Sequence, residues 1–183
     1  MKKYLVVISF IAAFAGTLFV NSCDEFDTLP INIPIEREII AQGTNNVYES
    51  SYFCLTDFSD YTEYQNDLQT LSFIRAAYTT VSASPNLEGD ITVSLYQGQG
   101  TNPANLLFTF TIPNVRPGDY IGTVYAIVLN QTQIQLLNNY VSNLQNQCFT
   151  AVLQVTNITA GTTPYELHGR VTLIFEAEVS LNN

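Results

Sequence analysis

His168 is the only histidine of the chain, and Glu166 and Arg170 lie two residues away on either side. On a β-strand, side chains two residues apart share a face at a distance of about 6.5–7 Å, so Glu166 could orient the imidazole for general acid–base catalysis. The sequence has no G-x-S-x-G motif and no cysteine beside the histidine, so it offers no nucleophile. We therefore predict a histidine exposed on a strand and no catalytic residue.

Two groups of acidic residues have spacings that suggest other chemistry. Glu176 and Glu178 could form a carboxylate pair of the glycosidase type, but an open strand surface provides no cleft, which favours a solvated strand face. Asn86, Glu88 and Asp90 supply oxygen atoms that could hold calcium. The chain has neither an EF-hand loop nor a C-x-x-C motif, and a plain turn explains these three residues better. The sequence thus predicts no metal ion, no cofactor and no enzymatic activity.

The first 25 residues have the three parts of a secretory signal. Lys2 and Lys3 give a positive start, residues 4–20 are mostly apolar, and polar residues return after Val20. The segment Val20-Asn21-Ser22-Cys23 resembles a lipobox, from which Asn21 departs. Acylation of Cys23 would anchor a soluble domain, because two or three acyl chains hold stably where one does not. An uncleaved membrane helix is the alternative, since the apolar run approaches the ~20 residues that span a bilayer.

Acidic residues follow directly after the cysteine, at Asp24, Glu25 and Asp27. This pattern resembles the surface-export signal of Bacteroidota lipoproteins, and the whole chain resembles the small outer-membrane lipoproteins of that phylum that carry a β-sandwich domain. The resemblance implies a lipid-anchored protein of the outer membrane that faces the periplasm or the cell surface. It provides no catalytic residues, because fold does not carry function.

The remaining two cysteines, Cys54 and Cys148, form a candidate pair once Cys23 is acylated. In an oxidising compartment a disulfide is the default expectation. A bridge between residues so far apart in sequence would restrict the unfolded chain strongly. Two buried free thiols are the alternative that the sequence leaves open.

Composition predicts one domain and excludes one class of partner. We divide the chain into a signal peptide at 1–22, an acylated cysteine with an acidic tether at 23–32, and a single domain at 33–183. Both lysines belong to the signal peptide, so four arginines oppose 16 acidic residues in the remainder. A surface of that sign repels phosphate backbones, and we expect no nucleic-acid partner.

Alternation of apolar and polar residues dominates the rest of the sequence and predicts half-buried strands. The clearest case is the last segment, whose inward series is Leu167, Gly169, Val171, Leu173, Phe175, Ala177 and Val179. On the opposite side of that segment, Ile174 is the only apolar residue. Further strands are expected near 35–41, 46–55, 71–82, 91–95, 106–112, 123–129 and 149–155. Turn signals between them favour a mainly β fold, an antiparallel β-sandwich of the Ig-like or Greek-key type with about seven or eight strands.

Two short helices are expected as crossovers between the two sheets. Asp60 could cap the first, with Tyr61, Tyr64, Leu68 and Leu71 on one face. Thr132 and Gln135 resemble a capping box at the start of the second, which carries the apolar stripe Ile134, Leu137, Tyr140, Val141 and Leu144.

Aromatic residues provide the last candidate site. The chain has 11 tyrosines and no tryptophan, and Tyr48, Tyr52 and Tyr96 could form a platform that binds a glycan. Our first functional hypothesis is a lipid-anchored, non-enzymatic structural or accessory interaction module with a protein partner in the envelope or outer membrane. The alternative is a surface lipoprotein that captures a ligand, either a glycan or an adhesin target.

Overall fold

The computed structural model describes residues 27–145 and 147–181; the predicted signal peptide, the lipobox and Cys23 lie outside the described residues. The strands are β1 (Thr28–Gly43), β2 (Val47–Cys54), β3 (Leu68–Ala83), β4 (Glu88–Gln97), β5 (Leu106–Val115), β6 (Val124–Ile127), β7 (Cys148–Ala160) and β8 (Tyr165–Ser180). The helices are α1 (Ser59–Thr62) and α2 (Gln131–Val141). The prediction of a mainly β, antiparallel fold is confirmed.

The strands pair in a nested order, first with last and so on inward. The pairs are β1 with β8, β2 with β7, β3 with β6 and β4 with β5, and the full order is β5-β4-β7-β2-β1-β8-β3-β6. Only the pair Gln42 and Tyr48 joins β1 to β2, and the sheet turns there into two layers of four strands. This order is that of a jelly roll, a sandwich made of two Greek keys.

Side chains from both layers fill one core. The inward series predicted for β8 is buried throughout. The rings of Phe149 in β7 and Phe175 in β8 stack across the layers with centroids 6.4 Å apart. Gly169 leaves room in β8 for Leu153 from the opposite layer and for Tyr78 from β3, since a Cβ there would lie 2.8 Å from the leucine Cδ2 and 2.6 Å from the tyrosine Cε2.

The first predicted helix is shorter than expected. α1 has four residues, whereas Leu68 and Leu71 belong to β3 and are buried there. A register shift between Leu68 and Thr70 is the physical reason, because a bulge inserts one extra residue and brings side chains three apart onto one face of a strand. The same spacing is typical of a helix, and the prediction for these two leucines was therefore wrong.

The second helix lies where the sequence predicts it, with a different cap. Asn130 caps α2: its side chain accepts from the amide of Gln133 at 3.0 Å, and the Gln133 side chain accepts from the amide of Asn130 at 2.9 Å. This is the predicted capping box, displaced by two residues from Thr132 and Gln135. Within the apolar stripe, Leu137 and Val141 are buried. Both helices connect one layer to the other, which confirms the crossovers.

The strand β1 begins earlier than the sequence indicates. Its pairing with β8 starts at Thr28 opposite Ser180, so residues 28–32 lie in the sheet and not in the predicted tether. Pro30 and Pro34 obscured this strand in the sequence. They are tolerated because β1 has a neighbour on only one side along most of its length, and proline is accepted at such an edge.

Candidate functional site

His168 lies on the outer face of β8, and its partner comes from the neighbouring strand. Its Nε2 is 3.0 Å from Oε2 of Glu38, and Nη2 of Arg170 donates to Oε1 of the same carboxylate at 2.6 Å. Arg170, and after it His168, hold the pKa of the Glu38 carboxyl below its ordinary value. Glu166 instead accepts a hydrogen bond from Gln42 at 2.6 Å. The geometry is that of a cross-strand ion-pair network.

The two acidic groups show no arrangement suited to catalysis or metal binding. Glu176 and Glu178 are exposed along the outer surface of β8. Glu88 is ion-paired with Arg116 at 2.5 Å, and Asp90 accepts from the amide of Asn114 at 2.8 Å. Within the described ranges, 27–145 and 147–181, no cluster of three or more histidine, cysteine or acidic side chains could hold a metal ion.

The cysteines Cys54 and Cys148 are bonded, with their sulfur atoms 2.00 Å apart. They are direct register partners and join the end of β2 to the start of β7. The amide of Cys54 also donates to Oδ2 of Asp57 at 2.8 Å. The disulfide thus fixes the point where the chain leaves β2 for the crossover.

The three candidate tyrosines lie together on the outer face of the layer β5-β4-β7-β2. The strand register places Tyr52 and Tyr96 on either side of Thr150, and Tyr48 opposite Gln154. We call this surface the tyrosine face and define it by three rows across the four strands. The rows are Tyr48, Gln154, Thr92 and Thr111; Ser50, Val152, Ser94 and Thr109; and Tyr52, Thr150, Tyr96 and Leu106.

A second surface, on the outer face of the opposite layer, was not predicted from the sequence. A groove of about 580 Å³ lies beside β6, and we call it the β6 groove. Its floor and walls include Pro34, Ala77, Val124, Ala126, Thr172 and Ile174. The one sequence signal for it was Ile174, the apolar residue on the otherwise polar side of β8.

A bulge extends the apolar surface past the end of the groove. The register of β3 against β8 shifts between Phe73 and Arg75, so Ile74 and Arg75 are both exposed, and Ile74 has 45% of its surface exposed. A smaller hollow lined by Asn32, Pro34 and Ile74 continues from the groove at this point. The two hollows together form an elongated apolar depression on a sheet face.

Three charged residues line the β6 groove. Arg170 lies 3.6 Å from Glu36, in addition to its contact with Glu38. Arg75 is exposed, and within the part of the chain that the structure describes it has no ion pair. Among the described residues, Arg75 therefore presents a guanidinium that is not ion-paired, next to the apolar part of the groove.

β6 also forms one edge of the sandwich. It has four residues and pairs with β3 from Thr79 opposite Val124 to Ala76 opposite Ile127. Its other side has no strand partner among the described residues.

Within residues 27–145 and 147–181, no helix is long and apolar enough to cross a membrane.

No protein-family model and no curated protein matches this sequence. Among solved structures, the fold is similar to a chain of Desmodium yellow mottle tymovirus, with a TM-score of 0.44, 10% identity, and coverage of 85% of this chain and 90% of that chain. A chain of turnip yellow mosaic virus gives a TM-score of 0.43 at 10% identity, covering 85% and 97%. A chain of the Macrobrachium rosenbergii nodavirus semi-empty particle gives 0.41 at 9%, covering 88% and 89%. Similarity at this distance carries no functional argument.

Proposed function

We propose that this chain is a lipid-anchored, non-enzymatic interaction module of the outer membrane that binds a protein partner of the envelope through the β6 groove. The observation that carries the proposal is an apolar groove on the outer face of a sheet, next to an edge strand that has one side unpaired among the described residues. The pairing of His168 with Glu38, and the open strand surface around Glu176 and Glu178, support a module without catalysis.

The exposed apolar residues are unusual for their position. The outer face of an antiparallel sheet is normally polar where it meets water, yet Val124 is 68% exposed and Ile74 45%. Contiguous exposed apolar surface marks interaction sites. Burial of a valine side chain is worth about 1.5–3 kcal/mol, so a partner that covers Val124 and its neighbours would gain a useful binding free energy.

The shape of the groove favours an extended segment of the partner. An edge strand offers free backbone donors and acceptors to an added strand, and β6 offers them beside the groove. Arg75, which has no ion pair among the described residues, lies on β3, so β6 would stand between its backbone and the added strand and only its long side chain could reach that segment. We infer that the segment carries apolar side chains and a carboxylate that pairs with Arg75, because a bidentate arginine–carboxylate contact gives orientation as well as energy.

The proposed anchor would hold the groove close to the membrane. Four residue steps separate Cys23 from Asp27, which limits that link to about 14 Å. Pro34 lies six residues along β1 from Thr28, or about 20 Å further. A link of this length would keep the groove within reach of other proteins of the same membrane.

Two valines provide a matched test of the groove. Val124 lines it and is 68% exposed, whereas Val128 lies just beyond β6, does not line the groove, and is 83% exposed. We would capture the detergent-extracted protein through a C-terminal tag and compare the co-purifying proteins for wild type, Val124→Asp and Val128→Asp. A carboxylate at position 124 should weaken binding by at least about 2 kcal/mol, roughly 30-fold.

The proposal requires that a stoichiometric partner is lost with Val124→Asp and Arg75→Glu but retained with Val128→Asp. A partner that stays bound in all three variants would contradict the groove as its site. A photo-crosslinking residue at Ala126 distinguishes a further outcome, since a crosslink to residues 1–26 of the chain itself would show that the groove is occupied internally.

The anchor has its own test. Cells that carry wild type should incorporate labelled palmitate into the protein and retain it in the outer-membrane fraction. Cys23→Ala should abolish both, because no thiol remains for acylation. If the wild type takes up no label and Cys23→Ala still remains in the membrane fraction, the apolar segment is acting as an uncleaved helix and the lipid anchor is excluded.

A further inference from the structure

We propose that the tyrosine face binds an uncharged polysaccharide chain. This inference concerns a second surface, on the layer opposite the β6 groove, and it does not depend on the partner proposed for that groove. Tyr48, Tyr52 and Tyr96 provide the stacking surfaces, and the exposed hydroxyls of Ser50, Thr109 and Thr111 provide the polar contacts.

The three rows of the tyrosine face are uncharged. The chain has 16 acidic residues, yet the three rows that define the tyrosine face contain no aspartate, glutamate, lysine or arginine. The outer face of the other layer carries Glu36, Glu38, Glu176 and Glu178. On the layer of the tyrosine face, Asp90 lies two residues before Thr92, and its carboxylate already accepts from Asn114 and Asn157. The three rows themselves offer no counter-charge to an acidic or basic ligand, and their complement is a neutral ligand with hydroxyl groups.

Two of the three tyrosine rings are exposed, and all three are widely spaced on the face. Tyr48 is 45% exposed and Tyr52 46%, although aromatic side chains are normally buried where a core can take them. They lie four residues apart on one strand, about 13 Å. Tyr96 lies two strands from Tyr52, about 10 Å away. Such a separation suits a ligand that extends over several units, and not a single small molecule.

Several polar groups of the tyrosine face are held in place by hydrogen bonds. The hydroxyl of Tyr52 lies 3.4 Å from the Sγ atom of Cys54, so the ring contacts the disulfide. Hydroxyls in adjacent strands are paired, Thr92 with Thr111 at 3.0 Å and Ser94 with Thr109 at 2.9 Å. Each hydroxyl retains acceptor capacity after one such bond. Because these groups are fixed before binding, little side-chain entropy is lost when a ligand binds.

The tyrosine face does not form a pocket that could enclose a small ligand. Pockets for small ligands are concave and enclose most of the ligand, and none of the described pockets is lined by these tyrosines. Thr150, Val152 and Ser94 are buried beneath the face, whereas Ser50, Thr109 and Thr111 are exposed on it. Apolar sugar faces would stack on the tyrosines, and sugar hydroxyls would reach these three exposed hydroxyls.

The test is affinity electrophoresis of the full protein, purified in mild detergent, in gels that contain a soluble neutral polysaccharide. We would use a mixed-linkage β-glucan, a xylan, a mannan and an α-glucan, with polygalacturonate as the charged comparison. At least one neutral polymer should retard the wild type. Tyr52→Ala and Tyr48→Ala should each lower that affinity about tenfold.

Tyr120→Ala is the matched control, because Tyr120 is 44% exposed but lies outside the tyrosine face. It should retain wild-type affinity, and thermal melting should show that all three variants are folded. The proposal is overturned if none of the four neutral polymers retards the protein, if only polygalacturonate does, or if Tyr120→Ala weakens binding as much as Tyr52→Ala. Self-association that Tyr52→Ala abolishes, without retardation by any polymer, would assign the face to a second copy of the chain and also overturn it.

Discussion

Replacement of Gly169 by alanine tests how closely the two layers pack. Gly169 is buried in the middle of β8, and its φ angle is not in the left-handed region, so alanine brings no backbone strain. The added Cβ would lie 2.6 Å from Cε2 of Tyr78 and 2.8 Å from Cδ2 of Leu153. Neither neighbour can move freely, because both side chains are fully buried.

The magnitude follows from these contacts. Overpacking of a close-packed core costs about 1–3 kcal/mol. A shift of the Tyr78 ring would also weaken the contact of its hydroxyl with Oγ1 of Thr80, which is 3.2 Å long and is worth about 1 kcal/mol. Alanine also restricts the backbone of the unfolded chain more than glycine does, which raises the free energy of unfolding by up to about 1 kcal/mol. We expect a net loss of about 2 kcal/mol in the free energy of unfolding.

Urea denaturation and thermal melting measure this loss. For a domain of this size, 2 kcal/mol corresponds to a Tm lower by roughly 4–8 °C. The control is Gly118→Ala, because Gly118 is exposed, is not left-handed, and has no atom within 4 Å of the position that a Cβ would take. That variant should melt within about 1 °C of wild type. If Gly169→Ala also melts within about 1 °C of wild type, Gly169 does not pack as closely against Leu153 and Tyr78 as the structure indicates.

Three further predictions concern the disulfide, the ion-pair network and the helix cap. Reduction of the bridge between Cys54 and Cys148, 94 residues apart, should lower stability by up to about 4–5 kcal/mol, and unchanged melting with two titratable thiols would refute it. The pKa of Glu38 is lowered in the folded state, so the ionised carboxylate stabilises the fold above the ordinary carboxyl pKa. This stabilisation is lost as pH falls through the lowered pKa. Glu38→Gln should therefore flatten the acidic side of a plot of Tm against pH, and an unaltered slope would contradict this. Asn130→Ala should cost about 1 kcal/mol in urea denaturation through loss of the capping box, whereas Thr132→Ala should be silent, and the reverse result would restore the cap predicted from the sequence.

Much of the fold could be predicted because burial leaves a periodic record in the sequence. The alternation along β8 indicated its inward face, since a strand with one face in the core must alternate. The same record failed at Leu68 and Leu71, where a bulge imitates helical spacing. It also failed at residues 28–32, because two prolines in an edge strand look like a loop when the pairing is not known.

The candidate surfaces were harder to predict because they depend on register. The sequence offered Tyr48, Tyr52 and Tyr96 as a possible platform, but that they share a face depends on the position of β7 between β2 and β4, which the sequence does not show. The partner of His168 came from β1, 130 residues away, and no local spacing could indicate it. The β6 groove is lined by residues from three strands that are far apart in sequence, namely Val124, Ile174 and Pro34. Nothing in the neighbouring sequence of each residue indicates that it lines a groove.

The two proposed surfaces can be tested for independence. They lie on the outer faces of opposite layers, which are separated by a core about 10 Å thick, and changes that far apart usually add within about 0.3–0.5 kcal/mol. In a double variant, Val124→Asp with Tyr52→Ala, polysaccharide affinity should therefore match that of Tyr52→Ala alone, within about twofold. Partner retention should likewise match that of Val124→Asp alone. A deviation above about fivefold in either assay would mean that one interaction alters the other surface, and the two sites would then belong to a single coupled function.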